Sequence, residues 1–373
     1  MRVALTGAFG FLGWHLRCRV KALRDDIDIV AIGRDDFSRL SELVDGVDAI
    51  IHVAGVSRGT DDELSAGNAE LAQAVIDAAR SGTGHPRIVV ANSIRAGDTS
   101  PYGIGKGAAL QLLSEFAASS GLDLVDVVLP NLFGEHGRPH HNSFVATFCH
   151  EVAAGRVPEV HPRDVELLHV QDAAQSLIDA LDGPSRADRP HGEQHGVGEV
   201  LDLIRAFDAT YRSGDVPALE TAFEANLFNA YRASAFDHRT HFSLETRTDP
   251  RGGLVEAVRS HGGGGQTFYS TTLPGATRGD HFHLSKVERF VVVAGQARIR
   301  LRKLFADDVI DIDVSGDAPV AVDMPTLWAH NITNTGASEL LTLFWTDSVF
   351  DPKHPDTYPE SVTIDGTEIE VAT

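Results

Sequence analysis

Cysteine is almost missing from this chain: Cys18 and Cys149 are its only thiols in 373 residues. Two thiols build no disulfide framework, so a reducing, cytoplasmic location is the expectation. Long apolar runs are missing as well. None approaches the ~18 residues that a membrane-spanning helix needs, and no membrane partner is expected. Nor does the start resemble a cleaved leader, because Met1-Arg2-Val3-Ala4-Leu5-Thr6-Gly7 runs straight into a strand and a glycine turn. Positive charge is short: 32 Lys and Arg against 53 Asp and Glu leave a formal charge of −21. Such a surface repels nucleic-acid phosphates and anionic lipid, which excludes both as partners. The same field opposes any phosphorylated ligand. That ligand must be held locally, by helix N-termini, backbone N–H groups and single arginines.

What is present points to two domains, since 373 residues exceed one ordinary core. Short apolar runs at Val3–Thr6, Ile27–Ile32, Ala49–Ala54, Arg87–Asn92 and Leu124–Leu129 alternate with helical spacing at 12–23, 66–81 and 103–119. Strands apolar on successive positions are covered on both faces, and strand–helix–strand repetition predicts a doubly wound parallel α/β sheet. Further helices are predicted over 142–155, 173–181, 201–212 and 218–233. After about Arg239 the long helical period stops, and short strands separated by glycine turns predict an all-β sandwich or barrel. The expected division is an α/β domain over 1–242 and a β domain over 243–373.

The N-terminal half carries a nucleotide signature. Thr6-Gly7-Ala8-Phe9-Gly10-Phe11-Leu12-Gly13 places glycines three apart after an apolar strand. Glycine permits the tight turn, lets backbone approach a pyrophosphate, and aims a helix N-terminus at it. The second strand ends at Gly33-Arg34-Asp35-Asp36, about 20 residues past Gly13, where ribose selectivity is set. Arg34 suits the 2′-phosphate of NADPH, whereas Asp35 or Asp36 suits the free hydroxyl of NADH. NADPH is favoured because the arginine comes first after the strand. Tyr102 and Lys106 stand one helical turn apart, so a lysine ammonium beside a phenol would favour proton transfer with a carbonyl oxygen. Ser93, closing a strand, is placed to bind the same oxygen.

The glycines, Tyr102, Lys106 and Ser93 together resemble the extended short-chain dehydrogenase/reductase family. The resemblance extends to His52-Val53-Ala54-Gly55, matching the family's stretch beside the cofactor, and to Pro130-Asn131-Leu132-Phe133-Gly134, matching its loop near nicotinamide and substrate. It implies cofactor contacts at Gly7, Gly10, Phe11, Gly13, Arg34, Ala54, Tyr102 and Lys106. The separation between Ser93 and Tyr102 is shorter than in most such proteins.

The C-terminal half carries a metal signature. Two histidines at alternate positions, His281 and His283, share one face of a strand. Glu288 follows a turn later and His330 lies farther on. Three imidazoles and a carboxylate suit zinc, iron, manganese or nickel. Gly275, His281, His283, Glu288 and Gly295 resemble the first cupin motif at full spacing. Pro325, His330 and Asn334 resemble the second, with Leu327 where a glycine is usual.

A reductase joined to a C-terminal cupin resembles the capsular-polysaccharide and O-antigen enzymes of UDP-N-acetyl-L-fucosamine synthesis. Scattered segments such as Asn142-Ser143, Val165-Glu166-Leu167 and Pro355-Asp356-Thr357-Tyr358 carry that likeness along nearly the whole chain. It implies that the cupin epimerises carbon 3 of a UDP-2-acetamido-2,6-dideoxy-4-hexulose. The reductase would then reduce carbon 4 with NADPH to UDP-2-acetamido-2,6-dideoxy-L-talose. It further implies a divalent metal, zinc first; a base at His283 or Lys286; substrate contacts at Asn131, Asn142 and Arg163; and a homodimer through the cupin. The metal is either catalytic or structural. Two other readings stay open: a sugar-nucleotide reductase with a purely structural cupin, and an NADPH-sensing binding protein.

Overall fold

Short apolar runs need cover on both faces, and they receive it in the computed structural model, which describes residues 1–183 and 187–363. In chain order the first elements are β1 Arg2–Thr6, α1 Phe11–Leu23, β2 Asp28–Ile32, α2 Leu40–Val44, β3 Ala49–His52, α3 Asp61–Ser81, β4 Arg87–Ser93, α4 Pro101–Ser120 and β5 Leu124–Leu129. The five strands form one parallel sheet in the order β2-β1-β3-β4-β5. Alternate side chains go to opposite cores. Leu5, Ile51, Val89 and Val127 pack with Leu16 and Val20 of α1. Ala4, Ile50, Ile88 and Val90 pack with α2, with Val75 and Ile76 of α3, and with Leu113 and Phe116 of α4. Helix α3 starts five residues earlier than its apolar spacing suggests. Thr60 and Glu63 form a reciprocal capping box that satisfies the exposed N–H groups of a polar first turn.

The chain continues through β6 Asn131–Phe133, α5 Phe144–Ala153, β7 Asp164–His169, α6 Val170–Asp182 and β8 Glu193–Gly196. Strands β6, β7 and β8 make a small second sheet, and α6 joins α1 over the first face of the parallel sheet. Two helices follow, α7 Val197–Tyr211 and α8 Ala222–Phe236. Then come β9 Phe242–Ser243, β10 Thr246–Asp249, β11 Gly252–Val255, β12 Gln266–Thr272, β13 Thr277–Phe282, β14 Glu288–Ala294, β15 Gln296–Lys303, β16 Val309–Ser315, β17 Val320–Met324, β18 Trp328–Asn334, β19 Leu340–Thr346 and β20 Tyr358–Pro359.

The β-rich half holds two antiparallel five-stranded sheets, ordered β12-β19-β14-β17-β9 and β16-β15-β18-β13-β20, as a cupin requires, and a separate β10-β11 pair. Phe290, Val292, Val322 and Phe344 of the first sheet share one core with Ile299, Leu301, Ile312 and Ile332 of the second.

The chain groups into two units. Met1–Phe144 goes with His161–Val197, and Val145–Val160 goes with the chain from Gly198 onward. Helices α7 and α8 therefore go with the β sheets, whereas a division at residue 242 places them in the first domain. The reason is packing. Phe236 of α8 enters the sandwich core. Arg232 donates to the Met324 carbonyl at 2.7 Å, and Asn229 donates to the Ser285 carbonyl at 2.7 Å. Beneath them Arg289 grips Asp323 at 2.6 and 2.8 Å, and the Tyr211 hydroxyl donates to the same carboxylate at 2.8 Å, all buried. Among the described residues no helix is long and apolar enough to cross a membrane.

Candidate active sites

The glycine turn after β1 leaves no room for side chains at its key positions. A Cβ at Gly13 would lie 2.1 Å from the Gly7 carbonyl oxygen, and Gly7 itself has φ +73° against the backbone of Ala54. Helix α1 then begins at Phe11 with Gly10 as its N-cap. No side chain caps it and no acid stands in its first turn. Open N–H groups and the positive end of the helix dipole face the turn, which fits a pyrophosphate. The Ala54 N–H donates to Thr6 Oγ1 at 3.3 Å, and that hydroxyl shares a hydrogen bond with His52 Nδ1 at 2.8 Å. Burial, with Lys106 adding to it, pushes His52 down to about 3, so it is neutral. At the end of β2 the Asp36 carboxylate accepts from the Gly33 N–H at 2.8 Å. Its acceptor is thus turned onto its own backbone, while Arg34 stays exposed.

Helix α4 is capped by Ser100, whose Oγ accepts from Gly103 N–H at 3.1 Å, and Pro101 opens its first turn. This places Tyr102 near the end of β4, where the Ser93 side chain acts to lower its pKa. The short spacing between them therefore does not keep Ser93 away. Arg95 lies 5.8 Å over the Tyr102 ring. One turn along, buried Lys106 donates to the Ala91 carbonyl at 2.7 Å. Its pKa falls to about 8 through burial, opposed by the Asp126 carboxylate on β5. Tyr102 behaves differently from the sequence expectation of a depressed phenol. Burial raises its pKa, against the opposing pull of Ser93 and Arg95, so it holds its proton at neutral pH.

The other first-unit residues are placed as follows. Asn131 is exposed and donates to the Glu166 carbonyl at 3.2 Å. Asn142 donates to Ser57 Oγ at 2.5 Å and accepts from Arg58 Nε at 3.3 Å, tying its loop to the one after β3. Arg163 lies exposed ahead of β7, its carbonyl accepting from Val197 N–H at 3.0 Å. Sequence reasoning missed a buried polar network behind the Gly134 loop. His169 meets the Glu135 carboxylate at 3.2 Å, while His15 donates to the Glu135 carbonyl at 2.9 Å and accepts from Gln171 at 2.8 Å. Burial alone would raise Glu135; the hydrogen bond to His169 and the nearby imidazoles outweigh it and hold the carboxyl at about 2. The one available signal was Glu135-His136 directly after the Phe133-Gly134 turn.

In the second unit the expected ligands converge. His281, His283, Glu288 and His330 bring one ligand atom each within 4.8 Å of one another. Glu288 Oε2 lies 3.0 Å from His283 Nε2, 3.2 Å from His330 Nε2 and 4.0 Å from His281 Nε2. Strand β13 reaches this arrangement through a bulge: the register shifts between Gly279 and His281, with Asp280 at φ +56°. His283 Nδ1 bonds the Asp356 carbonyl, and His330 Nδ1 bonds the Trp328 carbonyl at 3.1 Å. A carbonyl only accepts, so in a neutral ring each Nδ1 carries the hydrogen and each Nε2 presents a lone pair. Burial keeps His330 neutral, pushed down to about 4. Lone pairs therefore face a carboxylate oxygen with no hydrogen between them, an arrangement that a divalent cation resolves. Lys286 Nζ donates to the Pro355 carbonyl at 2.6 Å and to Thr357 Oγ1 at 3.2 Å, the residues on either side of Asp356.

Known proteins align with both halves. Residues 3–194 match the NAD dependent epimerase/dehydratase family, and residues 247–358 match the polysaccharide biosynthesis C-terminal domain. The chain is similar to UDP-2-acetamido-2,6-beta-L-arabino-hexul-4-ose reductase of Pseudomonas aeruginosa. The two are 32% identical over 370 residues, covering 97% of this chain and 99% of that protein. It is similar in structure to the capsular polysaccharide assembling protein CapF of Staphylococcus aureus, with TM-score 0.64, 32% identity, and coverage of 97% and 100% of the two chains. A UDP-N-acetylglucosamine 4-epimerase of Methanobrevibacter ruminantium M1 shares the fold, with TM-score 0.53, 16% identity, and coverage of 62% and 97%.

Proposed function

The chain belongs to the NAD dependent epimerase/dehydratase family, as an enzyme of the sugar-nucleotide reductase and epimerase type, and from that premise we propose a bifunctional role for its two sites. The α/β unit reduces the carbon 4 ketone of a UDP-2-acetamido-2,6-dideoxy-hexulose. The β-rich unit epimerises carbon 3 of the same sugar beforehand. The product is UDP-2-acetamido-2,6-dideoxy-L-talose, on the way to UDP-N-acetyl-L-fucosamine.

The observation that carries the reading is a buried lysine one helical turn from Tyr102, on a glycine-turn fold. NADPH, when bound, supplies a hydride to a ketone carbon. Ser93 and Tyr102 orient the ketone oxygen, and Tyr102, kept protonated by burial, hands it a proton. Lys106 keeps positive charge beneath that transfer. Arg34, free of the Asp36 contact, suits the 2′-phosphate. Asn131, Asn142 and Arg163 are the proposed substrate contacts.

In the β-rich unit, His281, His283, Glu288 and His330 would hold a divalent ion, zinc first. Such an ion supplies Lewis acidity to the anionic oxygen that develops when a hydrogen beside a ketone is removed. The four ligands fix that charge in a site backed by the sandwich core.

A second reading, reduction with a structural β unit, is favoured by the engagement of Lys286 with Pro355 and Thr357, which commits a candidate base to two structural hydrogen bonds. Incubation with the UDP-4-keto-6-deoxy sugar in deuterated buffer, with and without NADPH, separates the two by NMR. Deuterium at carbon 3 without NADPH, and a reduced sugar with it, is the expected result. Reduction with no deuterium at any stage leaves the second reading, and no oxidation of NADPH overturns both.

A further inference from the structure

Asp356 makes more contacts to the ligand-bearing loop than any role so far explains. Its carboxylate accepts from three consecutive backbone N–H groups: Leu284 at 2.8 Å, Ser285 at 3.0 Å and Lys286 at 2.8 Å. The Ser285 hydroxyl adds a fourth bond at 3.0 Å. Three successive N–H groups pointing into one concavity make an anion nest, here filled by a side chain of the same chain. The backbone carbonyl of Asp356 is the acceptor for His283 Nδ1. The residue adopts φ +42°, a left-handed conformation that costs energy outside glycine and persists where surrounding contacts enforce it.

The rest of the segment grips the strand that carries His281. Strand β20 pairs Pro359 with His281 and Tyr358 with Phe282. The Glu360 N–H donates to the Asp280 carbonyl at 2.9 Å, and the Val362 N–H donates to the Asp280 carboxylate at 3.1 Å.

The geometry points to Asp356 as a positioning residue of the metal centre, a clamp that fixes the tautomer and ring direction of His283; this rests on the proposed metal reading of the ligand cluster. The carboxylate locks loop 284–286 against the 355–357 segment, and that lock aims the Asp356 carbonyl at Nδ1. With Nδ1 so engaged, Nε2 is left to bind a cation. Partners of this kind are typically worth roughly 10–100-fold in metal affinity.

The test uses the full chain stripped by chelator and titrated with zinc ion against a chromophoric competitor. Asp356→Asn and Asp356→Ala should weaken zinc by roughly 10–100-fold, with Asp356→Glu recovering part of it. A long-range proton–nitrogen spectrum of the apo protein should show His283 as the Nδ1–H tautomer in the wild type and as a mixture in Asp356→Ala. If the wild type binds zinc and the variants bind equally well, the clamp is refuted while the metal reading stands. A lower apo melting temperature with unchanged affinity refutes it too, because that is a merely structural contact. Asn, which keeps an acceptor, serves where Ala fails to fold. A wild type that takes up no divalent ion overturns the metal reading, and the clamp with it.

Discussion

Burial sets different protonation states for two neighbours. Tyr102 is pushed up and keeps its proton; Lys106 is pushed down to about 8 and sits near the point of losing one. Tyr102→Phe should therefore lower ketone reduction by about 10²–10⁴-fold and spare deuterium exchange at carbon 3, read by NADPH oxidation and NMR. The sign of the pH effect follows from the lysine. Its ammonium is present below about 8 and lost above, so kcat/KM for reduction should fall on the alkaline side of pH 8. Asp126 raises the Lys106 pKa, so Asp126→Asn should move that limb to lower pH, and an unmoved limb assigns it to another group. Tyr102 and Lys106 were legible because four residues on a helix is one turn. Asp126 was not. It sits in an apolar strand, opposite Val90, and only the packing of α4 on the sheet brings Lys106 near it. Asp356 was illegible for a similar reason, since it meets His283 across a gap of 73 residues.

At the level of elements, turns and bulges are where sequence pattern and structure part company. Leu327 replaces a customary glycine and holds φ +65°, yet it is fully buried, and its N–H donates to the His283 carbonyl at 2.8 Å. Left-handed backbone costs about 1–2 kcal/mol outside glycine, whereas truncating a buried leucine costs about 2–5 kcal/mol. Burial wins, so Leu327→Gly should destabilise by about 1–3 kcal/mol on those figures, measured by urea unfolding at fixed metal concentration. The same measurement on Asp323→Ala should show a larger loss, about 3–5 kcal/mol, because buried Arg289 is left without its partner. The parallel strands were legible from their unbroken apolar runs. The capping box of α3 was readable as Thr60 with Glu63 three residues on, but apolar periodicity alone starts counting at Ala66. The Asp280 bulge left no periodic mark, since one extra residue in β13 changes direction without changing composition.

On the scale of the whole molecule, a charge of −21 acts on every anionic ligand. Raising ionic strength from 0.01 to 0.15 M shortens the screening length from about 30 to about 8 Å. Long-range repulsion should fade first while contacts at Arg34 and the α1 N-terminus persist, so KM for NADPH should fall over that range. A rise would mean that local attraction, not the global field, governs capture. The assignment of α7 and α8 was the part of the architecture least available beforehand. Their helical spacing is plain, but which sheet they cover depends on Arg232, Asn229 and Phe236 finding partners up to about a hundred positions downstream. The interleaved grouping also dictates what a ribosome must deliver, and in what order. By Leu129 all strands of the parallel sheet have been made, but α6, which closes one face over Leu5, Ile51 and Val127, is not complete until Asp182. In between, translation supplies Val145–Val160, a stretch whose unit is otherwise built from residues beyond Gly198. The nascent chain thus carries a half-covered apolar face and an unplaced helix at once, and a pause in translation within this window would favour aggregation.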